Sequence, residues 1–122
     1  MVAGNCHYTL IGPLGELPSE TGPAAGMSLS RYTLDEVELL LFAVMPEFRG
    51  KGLGRALLQR LIVDSAGRGA RRIFLEMRRG NTAERLYSSL GFLPIGMRRD
   101  YYRLQTGKKA DAITFAHDVT LP

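Results

Sequence analysis

The period of apolar and polar positions changes several times along the chain, and each change marks an element. Residues 6–11, CHYTLI, and 25–34, AGMSLSRYTL, alternate apolar with polar, the pattern of strands with one buried face. Residues 12–25 are rich in Gly, Pro, Ser and Glu and read as a surface loop. Asp35-Glu36 makes a turn into VELLLFAV, residues 37–44, whose nearly continuous apolar run predicts a central strand buried on both faces. In 53–66, LGRALLQRLIVDSA, Leu53, Leu57 and Leu61 recur with Leu58 and Ile62 at helical spacing, and Gly67 and Gly69 stop the helix. A strand over 70–78, ARRIFLEMR, precedes a short helix over 82–90, with Asn81 as its N-cap and Gly91 just past its end. Two more strands, 92–103 and 110–119, complete the order β-β-β-α-β-α-β-β, an α/β (α+β) class of fold.

Composition narrows this without redirecting it. A chain of 122 residues, 45% apolar and 23% charged, suits one folded domain spanning 1–122. No apolar run approaches the ~20 residues that span a bilayer, and no basic segment leads into one at the N-terminus. One cysteine, Cys6, allows no internal disulfide, so a cytoplasmic setting is the expectation. The net charge of +4 is carried in pairs: Arg71-Arg72, Arg78-Arg79, Arg98-Arg99 and Lys108-Lys109. Solvated strand ends explain such pairs, and no aromatic RNA-binding motif or zinc-ligand spacing accompanies them. An anionic small molecule therefore fits better than a nucleic acid or a metal.

The stretch VMPEFRGKGLGRALL, residues 44–58, carries the most specific chemistry. A glycine-rich turn between a strand and a helix start binds anions, because the first helical amides lack acceptors and the macrodipole is positive there. Gly50, Gly52 and Gly54 would expose amides, with Arg49, Lys51 and Arg55 adding charge. A Walker A loop needs Ser or Thr after the Gly-Lys pair, where Gly52 stands here, and the dinucleotide fingerprint fails at Arg55 and Leu57.

Arg49-x-x-Gly52-x-Gly54 after an apolar strand instead resembles the GNAT acyl-CoA N-acetyltransferases. Downstream, FLEMR, Asn81 and LYSSLGF resemble the family's closing signature, so the likeness runs over residues 6–119. Within the family, FLEMR, LYSSLGF, MRRDYY and DAITFAHDV look most like the bacterial ribosomal-protein-alanine acetyltransferases, which acetylate the N-terminal alanine of a small-subunit ribosomal protein. The resemblance implies a mixed, mostly antiparallel sheet flanked by helices, acetyl-CoA as cosubstrate and a protein N-terminus or other primary amine as acceptor. It implies that Arg49, Gly50, Lys51, Gly52, Leu53, Gly54 and Arg55 hold the pyrophosphate, that the backbone of Phe42, Ala43 and Val44 pairs with the pantetheine arm, and that Asn81 contacts the cofactor.

Acetyl transfer needs a neutral amine, yet α-amines have a pKa of about 8 and lysines about 10.4, so a base must collect a proton near neutrality. Glu76, between Leu75 and Met77, matches the proton acceptor of the ribosomal-alanine enzymes; Glu38 is the rival, matching the base of histone-type relatives. Tyr87 matches the acid that protonates the leaving thiolate, a role that can coexist with that of a core aromatic beside Leu86 and Leu90. Tyr101 and Tyr102 are alternatives nearby.

Two departures from the family pattern stand out. Asn81 and Tyr87 are one residue closer than usual, and one residue turns a helix by about 100°. The chain also begins at what looks like the family's second strand, which predicts an exposed apolar face and sheet edge, and hence a homodimer or completion by a partner chain. Besides the alanine acetyltransferase, a lysine or small-amine acetyltransferase, a coenzyme A-binding module with weak catalysis and a ribosome-associated RNA-binding module stay open.

Overall fold

A computed structural model describes residues 6–16 and 24–119, so residues 17–23 of the expected loop lie outside the described residues. The elements in chain order are β1 (Cys6–Ile11), β2 (Gly26–Thr33), β3 (Glu36–Val44), a 3-10 turn (Pro46–Phe48), α1 (Leu53–Gly67), β4 (Arg72–Arg78), α2 (Glu84–Ser89), β5 (Leu93–Arg103) and β6 (Lys109–Asp118). The strands form one sheet in the order β1-β2-β3-β4-β6-β5. All neighbours are antiparallel except β3 and β4, which run parallel because α1 carries the chain back between them.

Strand alternation divides the sheet into two unequal faces. Val37, Leu39, Ile73, Leu75, Met77, Ile113 and Phe115 point to the face that meets Leu58 and Leu61 of α1 and Tyr87 of α2. Phe92, fully buried, plugs the end of α2 against this layer, and burying a side chain of that size contributes roughly 1.5–3 kcal/mol. Leu53 and Leu57 extend the core toward Ile11 and Ala25. Among the described residues no helix covers the other face, which carries Phe74 and Glu76 opposite Ala116 and Thr114.

β3 departs from the sequence expectation. It pairs with β2 along its whole length, up to Gly26↔Val44, but with β4 only at Glu36↔Arg72, Val37↔Ile73 and Glu38↔Phe74. Its register against β2 slips by one at Leu40, since Leu29 faces Leu41 while Ser30 faces Leu39. Such a bulge bends and twists a strand. Beyond Glu38 the strand leaves β4, and a slot opens between them. Leu40 and Leu41 are therefore exposed, 43% and 47%, where burial on both faces was expected.

Candidate active site

The glycine loop opens beside this slot. After the 3-10 turn, Gly50 and Gly52 adopt φ of +77° and +80°, backbone that other residues enter only with strain. Gly52 caps α1, and the first helical bond runs from the Ala56 N–H to its carbonyl at 3.1 Å. The amides of Leu53, Gly54 and Arg55 precede that bond and have no intrahelical acceptor. Gly54 serves a different need. A Cβ there would lie 3.3 Å from Leu86 and 3.5 Å from Phe42, so its absence lets α1 approach α2 and β3 closely.

Around the loop lies a cleft of about 500 Å³, lined by Phe42, Ala43, Val44, Arg49, Gly50, Gly52, Leu53, Gly54, Arg55 and Asn81. Of the residues expected to hold a cofactor, Lys51 alone is not in this lining; its ammonium lies 5.8 Å from the Phe48 ring centre. The two arginines are also struts. The Arg49 Nε donates to the Val44 carbonyl at 2.9 Å, and the Arg55 Nη2 donates to the Ser89 hydroxyl at 2.8 Å. They brace the loop against β3 and α2 while keeping positive charge at the rim. Phe48, Thr82, Ala83 and Leu86 complete the wall; Phe48 and Leu86 lie within the quoted motifs without a role assigned to them, and Thr82 and Ala83 lie outside any motif.

A second cavity, about 360 Å³, fills the slot, lined by Leu39 to Phe42 of β3, Leu75 to Arg78 of β4, Asn81, Tyr87 and Tyr102. Phe42 and Asn81 line both cavities, so cleft and slot meet there. A turn precedes α2: the Asn81 side-chain oxygen accepts from the Ala83 N–H at 2.8 Å, and the helix begins only at Glu84, so Ala83 stands at the N-cap where Asn81 was expected.

Glu76 and Tyr87 enter the slot from opposite sides of the sheet. Glu76, half-buried on the helix-free face, has the Arg98 Nε 3.4 Å from its Oε2 and a long hydrogen bond from the Thr114 hydroxyl at 3.5 Å. Tyr102 is beside it, its phenol pushed up by burial first and by the Glu76 charge second. Tyr87 comes from the helix face, its ring 5.9 Å from Phe42 and 5.8 Å from Phe92, and burial pushes its phenol up to about 12. It stays protonated throughout the neutral range. Glu38 stands elsewhere, before the point where β3 leaves β4, and its carboxylate pairs with Arg31 of β2. It lines neither cavity. Arg98 and Thr114 were not legible as partners of Glu76, because their approach depends on cross-strand register.

A cleft at free helix-start amides leading into an apolar slot, with a carboxylate on one side and a phenol on the other, suits a thioester carried on a phosphate-bearing tail. Residues 8–92 match the family model described as Acetyltransferase (GNAT) family. The chain belongs to the GNAT acetyltransferase family. As such it is an acetyl-CoA-dependent N-acetyltransferase. It is 38% identical over 104 residues to the [ribosomal protein bS18]-alanine N-acetyltransferase of Escherichia coli K12, spanning 84% of this chain and 70% of that one. It is 42% identical over 96 residues to the N-alpha-acetyltransferase RimI of Mycobacterium tuberculosis, spanning 77% of this chain and 57% of that one. The crystal structure of the E. coli ribosomal-protein-S18-alanine N-acetyltransferase superposes with a TM-score of 0.84 at 33% identity, covering 99% of this chain and 74% of the other. Arabidopsis thaliana NAA60 shares the GNAT fold, at a TM-score of 0.77 and 18% identity.

Proposed function

We propose that this GNAT enzyme transfers the acetyl group of acetyl-CoA to the N-terminal alanine of ribosomal protein bS18, working in the cytoplasm where ribosomes are assembled. The relatives named for that reaction support the acceptor, and the observation that carries the chemistry is Glu76 and Tyr87 facing one slot from opposite sides. In this reading the coenzyme A phosphates sit on the amides after Gly52, and the pantetheine arm runs along Phe42 to Val44 on the edge of β3 away from β2, where β4 has left it, as an added strand would. Asn81, where the two cavities meet, orients the arm. The thioester then lies in the slot, its carbonyl oxygen held by a β3 amide near Val44.

The α-amine approaches from the helix-free face. Its nitrogen lone pair forms the new C–N bond, its surplus proton passes to Glu76 directly or through a water, and the tetrahedral carbon expels the thiolate. Tyr87 hydrogen-bonds the sulfur. Full proton loss from a phenol at about 12 to an ordinary thiolate of about 8.5 costs roughly 5 kcal/mol, so that hydrogen bond, more than an early proton transfer, is its contribution. The released thiolate takes up one proton from solvent as Glu76 gives its own back, so the products are the N-acetyl peptide and coenzyme A thiol. Glu76 is favoured over Glu38 because Glu38 is committed to Arg31 outside the slot. Replacing each by Gln and following thiol release decides it: Glu76→Gln abolishes most turnover, whereas full activity in that variant rejects the assignment.

A further inference from the structure

The acceptor side of the slot carries an excess of positive charge. Arg98 lies against Glu76 at 3.4 Å and its guanidinium stacks 4.8 Å from the Tyr101 ring centre. This placement is built. β5 pairs with β6 at Arg98↔Ala112 and next at Tyr102↔Ala110, so three residues of β5 bulge opposite the single Asp111. Asp111 holds the bulge: one carboxylate oxygen accepts the Asp100 N–H at 2.9 Å, and the other accepts the Arg79 Nε at 3.3 Å. The bulge returns Tyr102 to the face Arg98 occupies, and both flank Glu76. Arg78, the next residue but one on β4, also lines the slot. The groups facing Glu76 are thus Arg98 and Tyr102 from β5, Arg78 from its own strand, Thr114 from β6 and Tyr87 from α2. Glu38 is already matched by Arg31.

We propose that Arg98 is a specificity residue that makes the acceptor site accept a neutral amine and repel an ammonium, and so favours α-amines over lysine side chains. The inference rests on the reading of Glu76 as the base. An incoming ammonium has to share the Glu76 carboxylate with the Arg98 guanidinium, while Arg78 adds a further positive charge to the slot lining, whereas a neutral amine meets only a hydrogen-bond acceptor. Near pH ~7.5 roughly a quarter of an α-amine is neutral, against about one lysine in a thousand. A site blind to ammonium turns that difference into a preference of about two hundredfold. Because Arg98 is solvent-facing, its repulsion is worth roughly tenfold in binding.

The test measures acceptor KM for an alanine-starting peptide between pH ~6.5 and ~7.5 in the wild type, Arg98→Gln and Arg98→Lys, alongside an N-blocked peptide with one lysine. Calorimetric binding of the same peptides to the enzyme–coenzyme A complex provides a readout independent of turnover. In the wild type and Arg98→Lys, acceptor KM and Kd fall several-fold across this interval while the acetyl-CoA KM holds. In Arg98→Gln the slope flattens, affinity at the acidic end rises roughly tenfold, and the gap between alanine and lysine peptides narrows equally. An unchanged slope in Arg98→Gln, or Arg98→Lys behaving as Arg98→Gln does, overturns the proposal. Wild-type binding without turnover of any amine would sink the catalytic reading instead, and the calorimetric slopes would still decide the role of Arg98.

Discussion

Replacing Tyr87 by Phe separates the two roles of this phenol. In the folded protein burial raises it from 10.0 to about 12, while in the unfolded chain it returns to the ordinary value. Below pH ~10 the phenol is protonated in both states and its contribution to stability is complete. As pH rises from ~10 to ~12 the unfolded state ionises first, and two units at 1.36 kcal/mol each remove about 3 kcal/mol of stability. Tyr87→Phe lacks this loss. Urea unfolding of both proteins across the alkaline range isolates the effect, because other alkaline groups cancel in the difference. The gap should move by about 3 kcal/mol in favour of the variant. In the neutral range the variant keeps its packing against Phe42 and Phe92 but lacks the proposed hydrogen bond to sulfur, so kcat should fall on the order of 10²-fold with the acetyl-CoA KM nearly unchanged. A stability gap that stays flat from neutral pH to pH ~12 would refute the burial argument, and an unaffected kcat would refute the role at sulfur.

Other consequences are checked as directly. Gly52→Ala forces a side chain into φ +80° and should cost about 1–2 kcal/mol in thermal or urea unfolding. It should also raise the acetyl-CoA KM roughly tenfold, the scale of one lost charged hydrogen bond, and leave the acceptor KM alone. Glu76→Gln should lower kcat by about 10²–10⁴-fold, while Glu38→Gln stays within about twofold, since only an exposed pair with Arg31 is lost. Phe92→Ala empties the centre of the α2 packing and should cost about 3–5 kcal/mol by urea unfolding.

Local signals carried much of the fold into view. Leu53, Leu57, Leu58 and Leu61 mark the buried stripe of α1, and Gly52 marks its start, because helical period and capping are properties of neighbouring residues. β3 shows where local reading stops. Its run of apolar residues looks like a strand buried twice over, but the bulge at Leu40 breaks the register and turns Leu40 and Leu41 into the walls of a slot. A bulge is decided by the partner strand, here the step from Leu29 to Ser30. The glycine turn at the start of α1 was legible, yet Arg49 and Arg55 proved to be braces of that loop, which follows from the distances to Val44 and Ser89. Glu76 stood out by its place in FLEMR. Its partner Arg98 did not, since their meeting requires β6 to lie between β4 and β5 and pair with both in the right register.

The central claim is that the slot between β3 and β4 is where acetyl passes from coenzyme A to an N-terminal amine. The most direct measurement mixes the protein with acetyl-CoA and a peptide carrying the bS18 N-terminus, then follows free thiol and peptide mass together. One acetyl group on the alanine nitrogen per thiol released, lost in Glu76→Gln, is the predicted result. Thiol release without peptide acetylation, or acetylation undiminished in Glu76→Gln, would contradict the account.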